Sequence, residues 1–290
     1  MDTREKIVFL NGEYLPVSQA KVSVLDRGFL FGDGVYEVIP VFGSKPLREE
    51  EHLQRLGNSL QRVGLDNPYS HGEWHELFQT VLEQNPGEDR AIYLQVTRGH
   101  HMIRDLSISE NQPLTVFIMV MPVNTIDIDI IEKGLAAVTV DDFRWHACDI
   151  KSISLIANVM LRQKATEANV DDAILVRDGF ATEGTASNLF IVKDDVMVTP
   201  PKSNLLLPGI TRDLVVELAE KNNIRCEVRE ISEQELNSAD EVWLTSSTRE
   251  IAPIVELNGS PVGDGKAGEC WRKMINLYQQ YKQALREGAI

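Results

Sequence analysis

The sequence is poor in cysteine and has no long apolar run. Its three cysteines, Cys148, Cys226 and Cys270, lie far apart and outside any CxxC pair, so neither a disulfide framework nor a thiolate metal site is predicted. No apolar run approaches a membrane span, and the amino-terminal stretch lacks the apolar core of a secretory signal. We therefore expect a cytoplasmic protein that has no membrane partner.

Basic residues are also scarce. The 29 lysines and arginines are outnumbered by 44 aspartates and glutamates, which gives a net charge of -15. The negative electrostatic field of such a chain disfavours a surface that binds nucleic acid, and it repels anionic small molecules at long range. An anionic ligand therefore needs a local set of donors.

The residues that are present indicate an α+β fold. Strong hairpin dipeptides split short alternating runs at Asn11-Gly12, Asp178-Gly179 and Asn258-Gly259, which predicts antiparallel sheet. Apolar residues recur at helical spacing between these runs, which predicts helices. The predicted helices cover 48–64, 72–85, 153–168, 210–223, a short piece after Ser232, and 269–285.

The length of 290 residues suits one large domain or two of ordinary size. The acidic stretch "NTIDIDIIEKG" separates two strand-like runs and makes a weak helix and a weak strand. We predict an amino-terminal domain over 1–122, a linker over 123–134 and a carboxy-terminal domain over 135–290 that carries Lys151.

Lys151, in "DIKSISLI", leads into an apolar run. Burial of that run would hold the amine at or below the surface, where loss of its proton makes it a nucleophile. A lysine whose head reaches water while its stem covers the core remains the alternative. The apolar residues expected to be buried are Ile153, Leu155, Ile156, Val159 and Met160.

Two stretches offer anion donors, and a third offers an acid. Pro208-Gly209 precedes a helix whose first amides, from Ile210 and Thr211, can face an anion. Hydroxyl groups at 246–248 follow an apolar strand, and Glu183 follows a hairpin. A simple turn and a solvated loop carboxylate are the alternatives at Gly209 and Glu183.

Seven motifs together resemble the fold-type IV pyridoxal 5'-phosphate (PLP) enzymes, and most of all the D-amino-acid transaminases. They occur in the family's order over nearly the whole chain: "DRGFLFGDGVYEV", "EEHLQRL", "QVTRG", "DIKSISLIANV", "TEGTASNLF", "LLLPGITRD" and "LTSSTREIAP". The resemblance implies a two-domain α+β fold with the cofactor at the domain interface, and a homodimer.

The resemblance also implies residue roles. Lys151 would be linked covalently to the cofactor aldehyde and would carry the proton to and from the substrate α-carbon. Glu183 would keep the pyridine nitrogen protonated. Other implied cofactor contacts are Arg55, Ile210, Thr211 and Ser247 at the phosphate, Leu207 at the ring face and Tyr36 near the imine. His52 resembles a family residue close to Lys151, and equally fits a satisfied core histidine.

The substrate side departs from the family. Many D-amino-acid transaminases grip the substrate carboxylate with an Arg-x-His pair after the "VTRG" strand, whereas Arg104 here is followed by Asp105 and Leu106. Arg98 or Arg27 could replace Arg104, with His100 or His101 as a further donor. Tyr36 and Val38 complete the predicted substrate residues. No metal site is predicted, because His71 and His75 lack the HExxH order of zinc proteases.

These features predict a PLP-dependent transaminase that moves an amino group from a D-amino acid such as D-alanine to 2-oxoglutarate or pyruvate by a ping-pong mechanism. The alternatives are an (R)-amine transaminase, a branched-chain amino-acid transaminase and aminodeoxychorismate lyase. A further alternative is a catalytically inactive protein of the same fold that binds a phosphate ligand or a partner.

Overall fold

The computed structural model describes residues 5–108, 112–123 and 132–290. The chain forms two compact units. The first contains 1–124 together with the segment Ile150–Leu155, and the second contains Thr125–Asp149 and Ile156–Gly288.

An antiparallel sheet forms the centre of the first unit. Its spatial order is β2-β1-β6-β5-β3-β4, and all its pairings are antiparallel. The predicted hairpin at Asn11-Gly12 joins the first two strands, where both residues have the positive φ angles that such a turn requires. The strands are β1 Ile7–Leu10, β2 Glu13–Pro16, β3 Gly34–Phe42, β4 Lys45–Pro46, β5 Asp89–Thr97 and β6 Thr115–Pro122.

Helices α2 (Glu49–Arg62) and α3 (His71–Gln84) cover one face of this sheet, and the short α1 (Arg27–Phe31) precedes β3. Helix α3 begins at the capping box that Ser70 and Glu73 form. Leu53, Leu56 and Leu60 of α2 pack into the buried core, each contributing about 1.5–3 kcal/mol of burial free energy.

The second unit contains a sheet that closes on itself. Strands follow the order β12-β11-β10-β14-β15-β7-β8-β9-β13, β16 pairs with β15, and an additional β9–β10 pairing closes the ring. That closure places Glu183 opposite Asn188. The strands are β7 Leu135–Asp141, β8 Asp172–Arg177, β9 Phe180–Gly184, β10 Asn188–Lys193, β11 Val196–Thr199, β12 Cys226–Val228, β13 Ile231–Ser232, β14 Glu241–Ser246, β15 Glu250–Leu257 and β16 Ser260–Pro261.

The helices of the second unit lie where the periodicity predicts them. They are α4 Ile156–Glu167, α5 Ile210–Lys221, α6 Glu233–Asn237 and α7 Glu269–Glu287. Within the described chain, no helix combines the length and apolar character needed to cross a membrane.

The predicted burial of the apolar run after Lys151 is wrong. Leu155, Ile156, Val159 and Met160 are exposed by 37%, 72%, 61% and 53%, and Ile153 is half-buried. The physical reason is that α4 turns Leu161 and Ala165 to its own unit, so its other apolar side chains point away from the part of the chain that the structure describes.

One segment is grouped differently in the two units and in the predicted domains. The segment Ile150–Leu155, which includes Lys151, belongs to the first unit although we predicted it in the second domain. Most of the predicted linker falls on 124–131, outside the described residues, so its limits stay a prediction.

Candidate active site

Lys151 lies on a segment that extends the edge of β3. The amide of Tyr36 donates to the carbonyl of Lys151 at 3.0 Å, and the amide of Ile153 donates to the carbonyl of Gly34 at 3.0 Å. Ser59 of α2 accepts from the Lys151 amide at 3.2 Å. These bonds fix the backbone of Lys151, so its side chain leaves from a rigid position.

The half-buried Lys151 amine lies over an aromatic ring. Its Nζ is 4.2 Å from the ring centroid of Tyr36, a cation–π distance. Tyr36 and Val38 share the face of β3 that points away from the core. Tyr93 stacks on Tyr36 with 5.8 Å between ring centroids and donates to Gln95 Oε1 at 2.6 Å. Burial raises the pKa of Tyr93 to about 12, so its hydroxyl is a donor at neutral pH.

The opposite face of β3 carries a buried acid. Glu37 accepts from Arg55 Nε at 2.7 Å and from Arg55 Nη2 at 2.8 Å, the bidentate pairing that arginine favours. His52 Nδ1 lies 2.8 Å from Glu37 Oε2. Arg55, predicted as a phosphate ligand, is therefore oriented by Glu37.

The charges in this cluster are well defined. Although burial opposes ionisation, the charge and hydrogen bonds of Arg55, together with His52, hold the pKa of Glu37 well below its usual value. Burial lowers the pKa of His52 against the attraction of Glu37, and the charges of Arg55 and Lys151 lower it further. Because the carboxylate can only accept, the neutral histidine donates from Nδ1.

Glu183 is the buried acid of the second unit. Its Oε1 accepts from Arg144 Nη1 at 2.6 Å. Its Oε2 accepts from the Leu207 amide at 3.1 Å and from Asn188 Nδ2 at 3.3 Å. A carboxylate offers about four acceptor directions, so Glu183 retains room for a further donor.

Arg144 is shared between two acids. Its Nε and Nη2 bond to the two oxygens of Asp142 at 2.9 and 3.0 Å, which leaves Nη1 for Glu183. Burial raises the pKa of Glu183, and the charge of Arg144 only partly opposes that rise. Burial lowers the pKa of Arg144, but its bonds to Asp142 and Glu183 outweigh this and raise it.

The start of α5 is held by the same residues. Asn188 Nδ2 donates to the Leu207 carbonyl at 2.8 Å, and a Cβ on Gly209 would lie 1.8 Å from Asn188 Oδ1. Glycine is therefore required there by close approach. The helix begins at Ile210 without a side-chain cap, so the first-turn amides, including those of Ile210 and Thr211, have no intrahelical acceptor.

Ser247 lies in the turn between β14 and β15, where the Arg249 amide donates to Ser246 Oγ at 3.2 Å. Both strands belong to the closed sheet, and α5 contacts β14. The second unit therefore contains two sets of anion donors, the uncapped amides at the start of α5 and the hydroxyls of this turn.

Arg27 and Arg98, two of the three predicted carboxylate ligands, are buried and have structural partners. Their Nε atoms donate to Asp33 Oδ2 at 2.8 and 2.9 Å. The remaining guanidinium nitrogens donate to backbone carbonyls of Asp105, Leu106 and Ser107 for Arg27, and of Val63 and Gly64 for Arg98. Burial alone would raise the pKa of Asp33, but the hydrogen bonds and charges of Arg98 and Arg27 outweigh burial and lower it.

Arg104 differs from these two residues. It is exposed, and its guanidinium carbon lies 4.9 Å from the ring centroid of Phe31. Arg27 lies at the same distance from that ring. Phe31 therefore contacts both Arg27 and Arg104. Of the three arginines, Arg104 is the one whose guanidinium forms no hydrogen bond within the part of the chain that the structure describes.

Sequence reasoning missed Glu37, Arg144, Asn188 and Tyr93. Two of them left a readable signal. Glu37 interrupts the alternation of β3 at a position whose neighbours, Val35 and Ile39, face the core, so a buried partner was required. Arg144 ends a strand-like run in "VTVDDFRW". Asn188 and Tyr93 carry no local signal of their contacts.

Among the residues that the structure describes, no group of three or more His, Cys, Asp or Glu side chains could hold a metal ion. His75, one of the two histidines weighed in the sequence, lies 2.9 Å from Glu49 Oε1 on the surface.

The comparisons with known proteins show the family of the chain. The amino-transferase class IV family model matches residues 34–257, and the chain belongs to that family. It is 39% identical over 272 residues to a D-alanine aminotransferase of Bacillus licheniformis, covering 94% of this chain and 95% of the relative. A D-alanine aminotransferase of Staphylococcus aureus (strain COL) is 39% identical over 276 residues, covering 94% and 97%.

Among solved structures, the branched-chain aminotransferase of the archaeon Thermoproteus uzoniensis with norvaline superposes with a TM-score of 0.88 at 26% identity. The match covers 98% of this chain and 97% of that one. The predicted fold-type IV α+β class is confirmed.

Proposed function

We propose that the protein is a PLP-dependent transaminase that moves the amino group of a D-amino acid such as D-alanine to 2-oxoglutarate or pyruvate in a ping-pong reaction. The observation that carries this proposal is the Lys151 amine over Tyr36, on a backbone segment that is hydrogen-bonded to β3, in a chain of the class IV family. The named relatives favour the D-alanine class.

The side chains present fit this cofactor. When bound, PLP supplies a ring that withdraws electrons from the substrate α-carbon. Lys151 holds the cofactor and moves the proton at that carbon. Glu183, with a raised pKa and room for one more donor, holds the proton at the ring nitrogen. Leu207 would pack against the ring face, and Tyr36 would lie near the reacting amine.

The phosphate group is the charged end of this cofactor. We assign it to the amides of Ile210 and Thr211, to Ser247 and to Arg55. The helix start supports this assignment through its uncapped amides. Glu37 holds the guanidinium of Arg55 in one orientation.

Arg104 is the proposed ligand of the substrate carboxylate, because Arg27 and Arg98 already bond to Asp33 and to backbone carbonyls. We expect Arg104→Ala to lower kcat/KM for D-alanine by about 10- to 100-fold, the loss of one hydrogen bond to a charged group. (R)-1-phenylethylamine has no carboxylate and serves as the control. An equal loss for both substrates contradicts the role.

A branched-chain transaminase is the second candidate, because a solved neighbour carries that name. Half-reaction rates with D-alanine, L-leucine and (R)-1-phenylethylamine separate the two from each other and from an (R)-amine enzyme. D-alanine is expected to react fastest. Release of pyruvate from aminodeoxychorismate without an amino acceptor would instead establish a lyase.

We also propose a homodimer. Exposed apolar side chains occur in each unit of the single chain, and surfaces of this kind mark interaction sites. They are Phe29, Met102, Ile103, Leu106 and Ile108 in the first unit and Ile156, Val159 and Met160 in the second. Light scattering should give twice the chain mass, and Ile156→Asp with Val159→Asp should halve it. A cytoplasmic location stays a prediction.

A further inference from the structure

A buried ion pair lies behind the turn that carries Ser247. Glu250 ends that turn at φ +55, in the left-handed region that residues other than glycine and asparagine seldom adopt. Only 3% of Glu250 and 1% of Lys282 is exposed, and lysine is almost never fully buried without a partner. Lys282 Nζ donates to Glu250 Oε1.

Helix α7 holds the start of β15 at further points. Gln279 Nε2 donates to Glu250 Oε2 at 2.5 Å, and Trp271 Nε1 donates to the carbonyl of Ile251 at 3.0 Å. The residue before Glu250 is also held, because Arg249 Nη1 donates to Asp172 Oδ2 at 2.6 Å. Side-chain bonds therefore anchor the last two residues of the turn region, and Ser247 lies between these anchors and the strand β14.

The same helix reaches the start of α5. The fully buried ring of Tyr278 lies beside both Thr211 and Glu250, although its hydroxyl forms no well-aligned hydrogen bond in the described chain. Helices α5 and α7 also contact each other. One turn of α7, from Tyr278 to Lys282, thus supports the two elements to which we assign the phosphate.

Stability alone is a weak reason for such a pair. Replacing a buried ion pair with apolar residues is often neutral or stabilising, because both charges must first leave water. An apolar side chain at position 250 could pack against α7, but it could not bond to both Lys282 and Gln279. The pair therefore fixes a geometry that packing alone does not specify.

We propose that Lys282 and Glu250 are positioning residues for the cofactor phosphate: they fix the Ser247 turn beside the start of α5 and so set the preference for a phosphate monoester. This inference rests on the proposed function. It predicts a selective effect, in which binding of the phosphate weakens while binding of the aldehyde ring does not.

The test starts from the full-length holoenzyme, from which the cofactor is removed. The resulting apoenzyme is titrated separately with PLP and with pyridoxal, which lacks the phosphate. The variants are Lys282→Met and the double variant Glu250→Gln with Lys282→Met. The double variant leaves no unpaired buried charge and so guards against a simple failure to fold. Ile275→Ala, at a buried apolar position of α7, is the matched control.

We expect both variants to weaken PLP binding by roughly 10- to 100-fold, the loss of one hydrogen bond to a charged group. Pyridoxal binding should be unchanged, so the affinity ratio of the two ligands falls. The control variant should lower Tm and leave that ratio unchanged. A ratio equal to that of the wild type in the folded double variant overturns the proposal.

A wild-type protein that binds neither PLP nor pyridoxal overturns the proposed function instead. The rise in Tm that inorganic phosphate produces then decides the role of the pair. If phosphate raises the Tm of the wild type but not that of the double variant, the positioning role of the pair is supported. If phosphate raises both Tm values equally, or raises neither, that role is contradicted.

Discussion

Glu37 of the first unit and Glu183 of the second are both buried, and their pKa values are shifted in opposite directions. Glu37 and Glu183 each accept three hydrogen bonds. Glu37 accepts hydrogen bonds from two guanidinium nitrogens of Arg55 and has a lowered pKa. Glu183 accepts from one guanidinium nitrogen of Arg144, whose other two nitrogens bond to Asp142, and Glu183 has a raised pKa.

The charge of the donors, not their number, therefore sets the character of each buried acid. Glu37 is fully compensated within its own unit, as a structural ion pair requires. The charge of Glu183 is only partly compensated, so a protonated ring nitrogen is the partner that would complete it. Perturbed acids of this kind are candidates for function.

The largest expected effect comes from removing the charge of Glu183. We expect Glu183→Gln to lower the rate of the D-alanine half-reaction on the order of 10²- to 10⁴-fold, because a neutral amide cannot keep the ring nitrogen protonated. Stopped-flow absorbance of the holoenzyme measures this rate. Glu230→Gln, an exposed position in the same unit, is the control. An unchanged rate in Glu183→Gln would remove Glu183 from the mechanism.

Glu37→Gln should act on stability. Breaking a buried pair leaves Arg55 without its counter-charge, which costs about 3–5 kcal/mol of unfolding free energy. Urea denaturation measures the loss. Glu50→Gln, at an exposed position of α2, should stay within about 0.5 kcal/mol. If Glu37→Gln matches that control, the ion pair of Glu37 with Arg55 does not stabilise the fold.

The pH dependence of stability should separate the two acids more finely. Because the pKa of Glu37 is lowered from 4.5 in the folded state, its contribution is present above that value and is lost as the pH falls. His52, lowered from 6.5, adds to the loss in acid. The raised pKa of Glu183 works in the opposite direction, since its contribution is full below 4.5 and is lost as the pH rises.

Urea midpoints measured from roughly pH 2 to 8 test this sign, because the contribution of Glu37 is lost below its unfolded value of 4.5 and that of Glu183 above it. Relative to the wild type, Glu37→Gln should flatten the acid side of the profile, and Glu183→Gln should gain stability towards neutral pH. The same change of slope in both variants would contradict the distinction between the two acids.

Local rules predicted much of the fold. The three hairpin dipeptides and the helical spacing gave elements that the structure contains, because turn geometry and amphipathic periodicity are local. Closure of the second sheet through the β9–β10 pairing could not be predicted, since it depends on distant strands. Neither could the exposure of Ile156 and Val159, because an apolar stripe on a helix does not say which molecule covers it.

The site was partly predictable for the same reason. Lys151, Glu183 and the Gly209 turn stood out from their own sequence neighbours. The partners that tune Glu183 lie far from it in sequence: Arg144 is 39 positions away and Leu207 is 24. The proposal of Arg104 over Arg27 and Arg98 rests on the hydrogen bonds of Asp33, which no motif records.

The most direct test of the central claim is borohydride reduction of the PLP-loaded protein followed by peptide mapping. We expect one reduced phosphopyridoxyl adduct, on Lys151, and none in Lys151→Ala. An adduct on another lysine, or on no residue, would contradict the covalent role of Lys151.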